Sequence, residues 1–410
     1  MKQKLILLLL LSSFNIASCK QVEKTKDNEP TEIGELVKGA FPIFYKGHLY
    51  IIGCVDSICG NYVFDTGASN LYFDSTFYAN NNFSHNSVFT GYLPGVGNRP
   101  QKVVVVEDDV NFRFGNNSYK TSRVPVIQLK SILGDIADGI IGLEYFHNKI
   151  LEINYQKEYM RIYSCLDSVD LKDWSKIELI KRANRLFIPL EIQINDTITI
   201  SGEFIVDFGS GRSVSLTSLI SDKYKLKESV VNKAEYYTRY GGVGGESLRY
   251  DFFAKQLKIG NFSFKNVLMD FSADTGGALA SDKFLGLLGN DIYERFDIII
   301  DLIDTNLYLK PNSRYNEEFL SSRIGFSYVD RGQTLGSWIV TGLYSKSLAK
   351  LNGLMIDDEI ISINGINVSE IKIKDQVSFF KDIDDVNLKI RRANKFIDIS
   401  FRLEPILVSY

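Results

Sequence analysis

Twice in this chain an apolar run delivers an aspartate into a glycine-containing turn. The first is Tyr62-Val63-Phe64-Asp65-Thr66-Gly67-Ala68-Ser69-Asn70-Leu71-Tyr72-Phe73; the second is Glu203-Phe204-Ile205-Val206-Asp207-Phe208-Gly209-Ser210-Gly211, followed by Val214 and Leu216. Each reads as a buried strand, a tight turn holding a carboxylate, and a second strand. Burying a lone carboxylate is costly, and a second carboxylate that shares its proton is the economical partner. The two loops are therefore expected to meet.

Aligning the chain on Asp65 and Asp207 exposes an internal repeat of roughly one hundred residues. After Asp65 come Gly95-Val96-Gly97, Phe112-Arg113-Phe114-Gly115, Val124-Pro125-Val126 and Gly139-Ile140-Ile141-Gly142, and the copy closes at Ile150–Tyr155 and Met160–Tyr163. After Asp207 come Gly242-Val243-Gly244, Leu257-Lys258-Ile259-Gly260, Val267-Leu268-Met269 and Gly286-Leu287-Leu288-Gly289, closing at Ile298–Leu302 and Leu307–Leu309. Gly95, Gly97, Gly242 and Gly244 supply the positive-φ positions of hairpin tips, one mobile loop per copy. Apolar-apolar-glycine at Gly142 and Gly289 lets a strand pack against the Asp loop where a side chain would clash.

Asp65-Thr66-Gly67-Ala68-Ser69-Asn70-Leu71, with the later Ile140-Ile141-Gly142, resembles the catalytic motifs of pepsin-like and retroviral-type aspartic proteases, and the second copy repeats the pattern. The resemblance covers roughly residues 36–310. It implies a mostly β chain of two closed-barrel lobes, 36–170 and 171–312, with flaps over a cleft that takes a polypeptide substrate. Asp65 and Asp207 would activate a water, with Thr66, Gly67, Gly209 and Ser210 supporting the loops and no metal or organic cofactor required. One position departs from the pattern. Where the family has Thr or Ser after each Asp, bonding across the lobe interface, the second copy has Phe208. A phenyl ring cannot donate that bond, so Thr66 would need another partner or go unpaired. Hence an alternative reading stands beside the protease: a catalytically inactive, protease-like peptide-binding lipoprotein.

The N-terminus is an export signal: basic at Lys2 and Lys4, apolar from Leu5 to Leu11, closing on Ile16-Ala17-Ser18-Cys19. That ending resembles the bacterial lipobox, which implies cleavage after residue 18 and lipidation of Cys19; an ordinary signal peptide with an incidental cysteine is the other reading. Residues 19–35 are polar and aperiodic, a flexible tether. The expected location is the bacterial cell envelope, anchored by lipid to a membrane and facing the periplasm or exterior. Cys54 and Cys59 flank Asp56-Ser57 as facing hairpin positions could; a disulfide and two buried thiols both fit, and Cys165 has no partner. His48, His85 and His147 lack ligand spacing, so no metal site is expected. A net charge of −3 with dispersed Lys and Arg gives no nucleic-acid footprint.

After Lys310-Pro311-Asn312-Ser313 the pattern changes. Ile324-Gly325-Phe326, Gly353-Leu354, Asp357-Asp358-Glu359-Ile360 and Ile363-Asn364-Gly365 resemble a PDZ domain of the bacterial protease-associated kind, over 315–405. The resemblance implies that the Ile324-Gly325-Phe326 loop receives a peptide C-terminus and that the peptide adds as a strand beside Phe326–Tyr328. A packing module that binds nothing is the alternative.

Overall fold

The computed structural model describes residues 38–81, 83, 87–93, 95, 98–167, 169–376 and 378–409; the leader, Cys19, the tether, His85 and Gly97 lie outside them. Its described residues build two large sheets, of 15 and 14 strands. No helix among them is long and apolar enough to cross a membrane.

The two copies share one topology. In the first, Leu49–Val55 and Ile58–Asp65 form a hairpin (Tyr50↔Val63), closed near its tip by a Cys54–Cys59 disulfide at facing positions. Gly139–Gly142 then runs parallel to Ile58–Asp65, with Gly142 opposite Asp65, and antiparallel to Leu71–Asp74. In the second, Arg185–Gln193 pairs with Thr199–Val206 (Phe187↔Ile205). Gly286–Leu288 runs parallel to Thr199–Val206 and antiparallel to Val214–Leu216. The closing strands then join the copies: Ile150–Asn154 lies antiparallel to Phe296–Asp301, Ile153 facing Ile298. Continuous apolar runs such as Ile298-Ile299-Ile300, all fully buried, are what a strand covered on both faces needs.

The C-terminal module has its own apolar core, starting at Phe326 and built on the fully buried Trp338, which stacks on Tyr328 at 4.2 Å. Residues 315–319 lie earlier and serve the lobes: Tyr315 and Phe319 pack into the lobe core, and Arg295 stands over the Phe319 ring at 3.7 Å. The module is also continuous with the second lobe. Ser337–Tyr344 pairs antiparallel with Lys233–Thr238, the first strand of that lobe's hairpin, at Tyr236↔Tyr344. Gly342 is required there, because a Cβ would stand 2.2 Å from the Tyr236 hydroxyl. On the other side the module docks on the first lobe. Asp135, 7% exposed, donates its N–H to Asp330 O and accepts from Arg331 Nε at 2.7 Å and from the N–H and hydroxyl of Thr334.

Candidate active site

Each Asp loop is held by its own strand and by the glycine strand beside it. A Cβ on Gly142 would lie 2.6 Å from Asn70 N, and one on Gly289 2.3 Å from Arg212 O. The expected close packing at both glycines is therefore present. Asn290, next to Gly289, donates to Phe208 O (2.7 Å) and Ser210 O (3.0 Å) and accepts from Tyr155 Oη at 2.6 Å, tying the second loop to the interlobe strands. In the first loop Tyr145 Oη donates to Asn70 Oδ1 at 2.9 Å. These amide and phenol groups carry no sequence signal beyond lying next to a motif.

The structure brings Asp65 and Asp207 together, close enough for each carboxyl to perturb the other. Gly67 and Gly209 make the meeting possible. A Cβ on Gly209 would stand 2.3 Å from Asp65 Cγ, and one on Gly67 would stand 3.1 Å from an oxygen of each carboxyl. Asp65 Oδ1 accepts from Gly67 N (2.8 Å) and Ala68 N (3.0 Å), whereas Asp207 Oδ1 accepts from Gly209 N alone (2.9 Å). Burial raises both carboxyls above the usual range. The backbone donors hold Asp65 back, while Asp65's charge pushes Asp207 further up, well above the ordinary value. Arg185, opening the strand Arg185–Gln193, pulls both the other way. The two carboxyls titrate as one pair that shares a proton.

Thr66 is not left unpaired. Its hydroxyl donates to Val206 O at 2.5 Å and accepts from the Phe208 N–H at 3.1 Å, so the lobes are locked through backbone groups that Phe208 keeps. The Phe208 ring, fully buried, stacks on Tyr293 at 4.2 Å and lies 5.5 Å from Phe64. Ser210 braces its loop: its hydroxyl accepts from Arg212 N at 3.3 Å, and its N–H bonds Asp207 O.

Two hairpins meet above the loops. Leu93, Val243 and Ala68 share one apolar cluster, which sets the hairpin ends against the first Asp loop. Gly242 (φ 131°) and Gly244 (φ 137°) hold positive φ as expected. Gly95 is needed because a Cβ would collide with Val243 O at 1.6 Å. Arg99 N donates to Gly244 O (3.1 Å), and Asn98 Oδ1 accepts from Thr275 N (2.8 Å) and Gly276 N (3.1 Å), so the first hairpin is latched to the second lobe.

At the module's loop, Gly325 has φ 72° and would press a Cβ to 2.4 Å from Ser347 Cβ; Ile324 is half-buried and Phe326 is core. The strand Phe326–Arg331 pairs on one edge with Ser337–Tyr344, and its other edge meets no strand among the described residues.

No family model matches the sequence, and no curated protein matches it. Among solved structures, the chain is similar to an aspartic proteinase from Irpex lacteus: 13% identity over 68% of this chain and 98% of that one, TM-score 0.42. It is also similar to basic 7S globulin from soybean, with 8% identity over 67% and 97% and a TM-score of 0.39.

Proposed function

We propose that this chain is an aspartic endopeptidase, anchored through Cys19 in a bacterial cell envelope and acting on exported peptides or proteins. The observation that carries the reading is the carboxyl pair itself: Asp65 and Asp207, from two copies of one loop, brought together over the glycines that admit them. Asp65, the better solvated by backbone donors, takes a proton from a bound water, which attacks the peptide carbonyl. Asp207, protonated, donates to the carbonyl oxygen and stabilises the tetrahedral species. The two latched hairpins exclude bulk water and must part for a polypeptide to enter. The Cys54–Cys59 disulfide supports an oxidising, extracytoplasmic location. The C-terminal module is read as a PDZ domain whose Ile324-Gly325-Phe326 loop takes a peptide C-terminus, with an added strand beside Phe326–Tyr328, short of the Asp330 carbonyl that Asp135 N–H already occupies.

The second reading, an inert peptide-binding lipoprotein, rests on Phe208. Cleavage of a mixed peptide library separates the two. New termini that appear with the natural chain, vanish with an aspartyl-protease inhibitor and are absent with Asp65→Asn establish the endopeptidase. An unchanged library establishes the inert binder.

A further inference from the structure

The duplicated hairpins bring one residue of each copy beside the dyad, and those two residues differ in charge. Tyr50 faces Val63, two residues before Asp65, and Phe187 faces Ile205, two residues before Asp207. Continued by two places, the same registers set His48 opposite Asp65 and Arg185 opposite Asp207, each on the face of its own carboxylate. Each also approaches the Asp loop of the other copy. A Cβ on Gly211 would stand 3.7 Å from His48 Cε1, so the imidazole lies against the second loop. Arg185 adjoins Leu186, whose partner across the hairpin, Lys181, has its Nζ 3.4 Å from His147 Nδ1. His147 ends the segment in which Leu143 N donates to Ala68 O (3.1 Å) and Glu144 N to Ser69 O (3.3 Å). The start of Arg185–Gln193 therefore comes down beside the first Asp loop. The field there agrees. Burial raises Asp65, Asp207 and Tyr72, and the charge of Arg185 pulls each of them back.

Arg185 is exposed and has no hydrogen-bond or ion-pair partner among the described residues. Arg182, which faces it in the ladder, is paired with Glu203 and lies 5.0 Å over the Phe187 ring. An arginine kept for stability has partners of that kind. A free one at the mouth of a site has its planar fork of donors open to a ligand. Its surroundings suit a peptide. Tyr72 packs with Ala68, Leu93 and Val243 in one apolar cluster, and Phe187, Leu279 and Phe284 form another. Ala278, packed on the second cluster, donates its N–H to Gly95 O at 3.1 Å, which closes this side under the first hairpin. The opposite side carries no such charge. Burial, and then Lys46, push the His48 imidazole down to about 4, so it is neutral at ordinary pH, and Lys46 itself bonds Gln376 Oε1.

We propose that Arg185 is a specificity-determining residue that takes the carboxylate of a substrate Asp or Glu close to the scissile bond. The substrate class is then a polypeptide with an acidic residue on one side of the cut and a neutral one in the matching place on the other. The inference rests on the endopeptidase reading and deepens it by naming what is cleaved. A carboxylate meets the guanidinium fork through two parallel N–H bonds, and beneath the hairpins, where water is displaced, that pair is stronger than on an open surface.

The test uses the full chain and hexapeptides whose central bond is a hydroxyethylene isostere, which no protease hydrolyses. Binding is thus read whether or not the chain turns over. Glu is placed at each position in turn, beside a matched peptide with Gln there. Glu is expected to bind about tenfold tighter than Gln on one side of the isostere and equally on the other. Arg185→Gln should level that ratio, Arg185→Lys should keep part of it, and Arg185→Glu should turn the preference toward Lys. A ratio between two peptides on one protein does not depend on how much of a variant is folded. Equal affinity for Glu and Gln at every position, or a preference that survives in Arg185→Gln, overturns the proposal. So does an Arg185→Gln enzyme whose pH profile shifts alike for Glu and Gln substrates with their kcat/KM ratio unchanged, because Arg185 would then only tune the dyad. Acid preference in binding without cleavage of the matching amide peptides contradicts the proposed activity and leaves Arg185 as the reader of an acidic ligand. Cleavage without acid preference does the reverse.

Discussion

At the dyad, the folded state holds a proton that free carboxylates would release. Both carboxyls lie above their usual range, so this contribution to stability is full below about pH 4 and is lost as pH rises through the raised values. Asp207→Asn removes the repulsion while keeping the shape. It should raise the melting temperature at pH 7 relative to pH 4, and abolish cleavage; Asp65→Asn should also abolish cleavage, each role needing its own carboxyl. Turnover should peak at mildly acidic pH, where one proton is shared, and fall when the second is lost. His48 works in the other direction. Burial, and then Lys46, push its imidazole down to about 4, so what it contributes is present above about pH 6.5 and lost as pH falls toward 4. At Phe208, replacement by Thr would empty the space against Tyr293. A cavity of that kind costs on the order of 3 kcal/mol against about 1 regained from one hydroxyl bond. Because Thr66 already has both its bonds, Phe208→Thr should lower stability in denaturant titrations and leave cleavage unchanged or lower. Cleavage gained by that variant would identify Phe208 as the lesion of a silenced enzyme.

Among the elements, the strand Gly139–Gly142 has the tightest tolerance. Gly142→Ala pushes a methyl into Asn70 N and Ala68 O, backbone atoms that cannot swing aside. Overpacking of that kind costs about 1–3 kcal/mol, and here the displaced atoms belong to the loop that bonds Asp65. The expected outcome is a large fall in kcat with a smaller change in KM, measured on the peptide that the natural chain cleaves best. The hairpin Leu49–Val55/Ile58–Asp65 behaves differently. Its disulfide closes a short loop far down the strands from Asp65, so replacing Cys54 and Cys59 by Ser should cost about 2 kcal/mol of stability and little activity.

For the molecule as a whole, the C-terminal module is a strut between the lobes. It extends the second lobe's sheet through Tyr236↔Tyr344 and grips the first through Asp135. Asp135→Ala leaves Arg331 without its carboxylate and Thr334 without its acceptor, a loss of about 2–3 kcal/mol at a site this buried. Limited proteolysis around residues 332–336 should become faster in that variant, while Asn98 keeps the hairpins latched. Cys19→Ser should release the protein from the membrane fraction after a high-salt wash, and continued pelleting would remove the lipid anchor from the proposal.

The duplicated fold was legible in the chain because its landmarks are local. An apolar run ending on Asp65 or Asp207, and a glycine at 142 or 289 where nothing larger fits, are steric and solvation demands that each segment states by itself. The pairing of the two aspartates was legible for the same reason, since a buried carboxylate calls for a partner. What Thr66 bonds was not. Its partners, Val206 O and Phe208 N, are backbone atoms that every residue type carries, and only the approach of the lobes decides that they come within reach. Nor could residue types reveal that Gly95 packs against Val243, that Ser210 faces Arg212, or that Tyr344 shares Asp251 with Arg212. The local sequence determined two carboxylate loops. The docking of lobes, hairpins and module determined which donors reach each carboxylate, and so how the pair titrates.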